Sequence, residues 1–233
     1  MKASTDPMTV TAFRSSLPKA GVRALLLAAM TAVSACSMMG GGPKLPPPPE
    51  QPAEPDKGDP QARFEAAMTL WQQHQVQEAE DAFKSLVQDF PDLSGPWTNL
   101  GILYAKSNRR EMAIGALTKA AALNRENKIA FNWLGILHRE AGDLERARLA
   151  YERALALDPD YALAHYNLGV LLDAHLQQPM QALPHYRAYL TLRGEDDLRV
   201  MAWIAKIEAD ARAAEPAPEP APPTAAPTPE TTP

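Results

Sequence analysis

Three stretches of the chain carry one phrase at a fixed interval: "WTNLGILY" from Trp97, "FNWLGILH" from Phe131 and "HYNLGVLL" from His165. Leu100, Leu134 and Leu168 stand 34 residues apart, and so do Gly101, Gly135 and Gly169. A second set keeps the same step: Ala79, Ala113 and Ala147, each followed four residues later by Phe83, Leu117 and Tyr151. A period of this length is one supersecondary unit repeated, and such a unit cannot bury its apolar face alone. The repeated residues recur at helical spacing, and the middle of the chain is rich in Ala, Leu, Glu, Arg and Gln, all good helix formers. The alternating Val/Ile/Thr runs that announce strands are missing. The composition therefore predicts an all-α fold, in which small residues such as Gly101 and Ala113 are expected to let helices approach closely, with Leu100, Tyr104 and Leu117 filling the space around the contact.

The full pattern resembles the tetratricopeptide repeat: a large leading residue, Leu-Gly, a bulky residue, then Ala, a large apolar residue, Ala and Pro. The resemblance covers residues 60–195 and implies a right-handed solenoid of about four helix-hairpin repeats, at 60–93, 94–127, 128–161 and 162–195. The third is the cleanest, with Leu134-Gly135, Ala147, Tyr151, Ala154 and the turn Asp158-Pro159. The first is degenerate, because Arg63 and Ala66-Ala67 replace its leading residues. The fourth carries an extra residue in "DAHLQQPMQAL", assigned to its turn, so that Ala182 and Tyr186 arrive one place late. Pro184 is expected to distort the start of the second helix there. Residues 196–213 form an expected capping helix, with Leu198, Met201, Ile204 and Ala205 on its inner side.

Proline bounds the foldable part. Eight of the 23 prolines lie in residues 37–60 and eight in 214–233; only five lie between them, and Pro7 and Pro18 precede both. Neither proline-rich segment can bury a core, so 36–59 is expected to be a tether and 214–233 a disordered tail. Ahead of the tether, Arg14, Lys19 and Arg23 precede the apolar run Ala24 to Val33, which is too short to span a bilayer and has the build of a signal peptide over 1–35; Met8 is an alternative start. Val33-Ser34-Ala35-Cys36 resembles the lipobox of bacterial lipoproteins. That resemblance implies cleavage before Cys36, the chain's one cysteine, and acylation there, which would anchor the protein to a membrane. Ser37 in place of Asp implies, by the enterobacterial sorting rule, delivery to the outer membrane with the domain facing the periplasm.

Catalysis finds little support in the residues. His138 and His165 occupy helix-packing positions, while His165, His175 and His185 recur every ten residues with helix, turn and second helix between them. No Cys-x-x-Cys, phosphate loop or Gly-x-Ser-x-Gly elbow occurs. The net charge of −5 and the absence of a basic stripe argue against a nucleic-acid partner. No enzyme activity, cofactor, metal or small-molecule substrate is expected.

Binding of a protein or peptide fits better. In the family the first helix of each repeat lines a concave groove. The corresponding positions are Phe64, Met68 and Trp71; Thr98, Asn99 and Ile102; Asn132, Ile136 and Arg139; and Tyr166, Asn167, Val170 and Asp173. Apolar side chains between amides suit an extended peptide or a helix. The carboxylate-clamp subtype is not present, since Phe64, Met68, Ile129 and Trp133 stand where its polar and basic residues would be. The expected role is an envelope adaptor of the kind that assists pilus-secretin assembly. Alternatives are an adaptor for peptidoglycan hydrolases and a cytosolic scaffold whose N-terminus only mimics a signal. If the lipobox reading holds, protein isolated from membranes has lost residues 1–35 and gained acyl mass. Cys36→Ala abolishes both changes, as read by intact mass spectrometry.

Overall fold

A computed structural model of the chain describes residues 56–194 and 197–214. The expected signal segment 1–35, Cys36, the tether up to residue 55 and the tail from residue 215 lie outside the described residues. Among the described residues every regular element is helical. They fall into two compact units, one ending at Phe90 and the other beginning at Pro91.

The first unit is one helix hairpin, α1 (Pro60–Gln72) and α2 (Val76–Asp89). Asp59 caps α1 by accepting from the backbone N–H groups of Gln61 and Ala62, and Pro60 fills the first helical position, where no N–H is needed. Phe83 of α2 is fully buried, with Phe64 and Trp71 set edge-on to it at centroid distances of 5.9 and 6.2 Å. Arg63 ties the two helices together through Asp89 at 2.7 Å and Ser85 at 2.7 Å.

The second unit holds α3 (Ser94–Lys106), α4 (Arg110–Leu123), α5 (Lys128–Glu140), α6 (Leu144–Leu157), α7 (Ala162–Val170), α8 (Pro179–Arg193) and α9 (Leu198–Ala214). Each helix packs on the next in chain order, so three hairpins and a last helix form one stack. The contact that closes each hairpin is a glycine against a large side chain. A Cβ built on Gly101 would lie 2.6 Å from Leu117 Cγ, one on Gly135 2.4 Å from Tyr151 Cε1, and one on Gly169 2.7 Å from Tyr186 Cδ1. Glycine inside a helix costs about 1 kcal/mol relative to alanine. That cost is outweighed here, because no other residue leaves room for the ring. Tyr151 and Tyr186 are almost wholly buried as a result.

The turns between paired helices repeat too. His74, Asn108 and Gly142 take positive φ (61°, 58° and 80°) at intervals of 34 residues, and Gln177 does so at 55°. Gln177 comes one residue late, and the structure shows where the added residue went. It lies in the end of the first helix rather than in the turn. After Val170 the helix widens into a π-helical turn, Leu171–His175, in which Leu176 N–H donates to Leu171 O at 3.0 Å. A π turn takes up one residue more than an α turn, so Tyr186 still meets Gly169.

α8 runs unbroken past Pro184, which is exposed and supplies no N–H donor. One other expectation is corrected. In α9 the inner side is Val200 and Ile207 with Trp203 and Ile204 partly buried, whereas Leu198 (75% exposed) and Met201 (42%) face outward, as does Ala205. The reason is Trp203, whose ring lies 5.5 Å from that of Tyr186 and 6.2 Å from that of Tyr166. The largest apolar side chain sets the helix's rotation.

Gly135→Leu is expected to lower stability by about 1–3 kcal/mol through overpacking, read as a lower urea midpoint at unchanged slope. Gly115→Leu, where a Cβ meets nothing within 4 Å, serves as the tolerated control.

Candidate functional site

The positions expected to line a groove divide sharply by burial. In the first unit Phe64, Met68 and Trp71 are all buried, and Phe64 and Trp71 belong to the aromatic cluster around Phe83. A hairpin of two short helices has few large residues with which to build a core, and it uses these.

In the second unit Thr98, Asn99, Ile102, Asn132 and Asn167 are also buried, and the polar ones are engaged. Thr98 Oγ1 donates to Ser94 O at 2.8 Å and accepts from Asn127 Nδ2 at 2.7 Å. Asn127 in turn caps α5, its Oδ1 accepting from Ala130 N–H at 3.0 Å, and reaches Ser94 Oγ at 3.0 Å. One amide therefore holds the start of α5 onto α3. Asn99 Nδ2 donates to Gly95 O one turn back at 3.1 Å. Asn167 Nδ2 donates to Asn132 Oδ1 at 3.0 Å, linking α7 to α5. Asn127 and Asn167 thus join neighbouring first helices to one another. Buried polar groups left without such partners would cost about 1–3 kcal/mol each.

What remains half-exposed is a narrower face: Ile136 and Arg139 on α5, Tyr166 and Val170 on α7, and Asp173 in the π turn. Ile136, Tyr166 and Val170 rest partly on the core beneath. Tyr166 is steadied from one side by Tyr189, 5.1 Å between ring centres, and from the other by Trp203. Asp173 accepts from Tyr186 Oη at 3.3 Å. Burial, and beside it the Asp173 charge, hold the Tyr186 phenol well above the ordinary tyrosine range. Burial does the same to Tyr151, whose hydroxyl has no protein partner. Arg139 is near enough for its charge to bear on both phenols. The face thus offers three apolar side chains, one guanidinium and one carboxylate, held on rigid helices. It can take up an apolar segment and meet polar groups beside it.

The histidines are not all as the sequence suggested. His138 is half-buried, and burial lowers its proton affinity. His165 and His185, expected to be kept apart, meet across the α7–α8 pair with 2.9 Å between their Nδ1 atoms. Their spacing of 20 residues gave no sign of this, because the π turn sets the offset between the two helices. Among the described residues no group of three or more His, Cys, Asp or Glu side chains is arranged to hold a metal ion.

Helix hairpins of this period, closed by glycine against a large side chain, define a tetratricopeptide-repeat fold. Three matches support that family: a tetratricopeptide repeat at residues 61–93, a second at 95–127 and a TPR repeat at 137–174. Solved structures agree. A Pseudomonas aeruginosa pilF structure aligns with 66% of this chain and 69% of its own, at TM-score 0.59 and 18% identity. A crystal structure of MamA aligns with 63% of this chain and 84% of its own, at TM-score 0.56 and 22% identity. A thermophilic TPR protein of Thermus thermophilus aligns with 66% and 84%, at TM-score 0.55 and 22% identity. At these identities the likeness is one of fold.

Asn127→Ala removes both the α5 cap and the tie to Thr98. It is expected to cost about 1–2 kcal/mol, measured by thermal or urea unfolding. Asn124→Ala, in the same turn, is expected to cost less, because Asn124 Oδ1 accepts only from the exposed Glu126 N–H.

Proposed function

We propose that the protein is a membrane-anchored adaptor that holds an apolar segment of a partner protein against the α5–α7 face of the second unit, in an envelope assembly of the pilus-secretin type. The observation that carries this reading is the half-exposed set Ile136, Tyr166 and Val170, with Arg139 and Asp173 beside it, on a fold built for contact rather than catalysis. An apolar patch with a guanidinium and a carboxylate beside it suits a bound helix or extended chain that carries polar groups next to its apolar ones. The anchoring part rests on the sequence around Cys36, with its basic residues, short apolar run and small residues before the thiol. The choice of machine is suggested by the fold likeness to pilF of Pseudomonas aeruginosa.

Placing a photo-crosslinker at Val170 in cells tests both parts. The expected outcome is a discrete crosslink to one envelope protein, lost when Ile136→Arg is added while helicity is unchanged. A crosslink indifferent to Ile136→Arg, or none at all, overturns the assignment of the face. A crosslink to a cytoplasmic protein overturns the anchoring.

A further inference from the structure

Away from the half-exposed face, two imidazoles are set nitrogen to nitrogen. His165 Nδ1 of α7 and His185 Nδ1 of α8 are 2.9 Å apart, with ring centres at 5.2 Å. A hydrogen bond across that gap contains a single proton, and the second contact of His165 says whose it is. His165 Nε2 lies 2.9 Å from the Pro159 carbonyl, which can only accept, so Nε2 carries a hydrogen. A neutral His165 then presents a bare Nδ1, and His185 Nδ1–H donates to it. The first added proton goes to His185 Nε2 and leaves the link in place as a charge-assisted bond. A second has only His165 Nδ1 to occupy, which places two N–H groups head to head.

We propose that His165 and His185 form a proton-limited latch on the last hairpin: closed, the pair holds at most one positive charge, and a second proton parts α7 from α8. This goes beyond the adaptor reading and does not depend on it. The charged groups around the pair are accounted for. On α6, Glu152 favours the protonated His185 but is itself engaged by Arg148 at 2.8 Å. Burial and the His165 ring outweigh it, and His185 stays below the ordinary histidine range. In the turn before α7, Asp158 is paired with Lys128, which keeps its carboxyl low. On α8, Arg187 is taken by Glu208 of α9 at 2.6 Å.

The sign follows from proton counting. In the opened hairpin two free imidazoles titrate near about 6.5, whereas the closed pair binds fewer protons. The latch is at full strength above that pH and weakens as pH falls below it, by up to about tenfold in the opening equilibrium per pH unit for each excluded proton. Long-range nitrogen-15 NMR of the full chain should show His165 protonated at Nε2 and His185 at Nδ1 at pH 7.5. On acidification the closed pair should take up one proton and not a second. Amide protection over 161–190, corrected for intrinsic exchange, should fall relative to 97–140 between pH 7.5 and 5.5. The double variant His165→Gln/His185→Asn should lose that fall. Two rings titrating independently near 6.5, or the same fall in the double variant, overturns the latch. Should that variant not fold, the titration of the unaltered chain decides alone.

Discussion

The structure depends on a void. Gly101, Gly135 and Gly169 leave room one side chain deep, and Leu117, Tyr151 and Tyr186 fill it. Each glycine weakens its own helix, and the residue opposite recovers more by being buried: complete burial of a large apolar side chain contributes about 1.5–3 kcal/mol. The exchange is local, between residues 16 or 17 positions apart, so each hairpin closes from within its own sequence. Stacking adds the rest. In the second unit α4 lies on α5 and α6 on α7, and the apolar residues that one hairpin leaves bare are covered by the next.

Polar side chains do the aligning that apolar ones cannot. Greasy contacts tolerate sliding, but Asn127 on Thr98 and Asn167 on Asn132 hold first helices in fixed register. Thr98, Asn132 and Asn167 stand at positions that, read as sequence, looked turned toward a ligand. They are turned toward one another. What is left for a partner is the smaller set around Ile136, Val170 and Tyr166.

How much could be read beforehand follows from which interactions are local. The period, the close approach of helices at the repeated glycines and the helical class were all legible, since each rests on short-range spacing. The rotation of α9 was not: Leu198, Met201 and Ile204 make as good a stripe on paper as Val200, Trp203 and Ile207. Only the rings of Tyr166 and Tyr186 choose between them. Burial at Thr98, Asn99 and Asn132 was hidden for a similar reason, because it depends on how closely adjacent first helices approach. The extra residue of the fourth repeat was visible as a miscount, but its place was set by the cost of misplacing Tyr186, which no windowed pattern contains. The meeting of His165 and His185 depended on that same placement.

The widened turn at Leu171–His175 has a consequence for the family of shapes this chain can take. An insertion in a helix ordinarily turns everything after it by about 100°, which would aim the following side chains at new neighbours. Here the rotation is cancelled within five residues, and the next helix arrives in phase. The array behaves as a ruler whose divisions can be lengthened singly without losing the count. Repeats can therefore gain length while the joint between hairpins stays as it was.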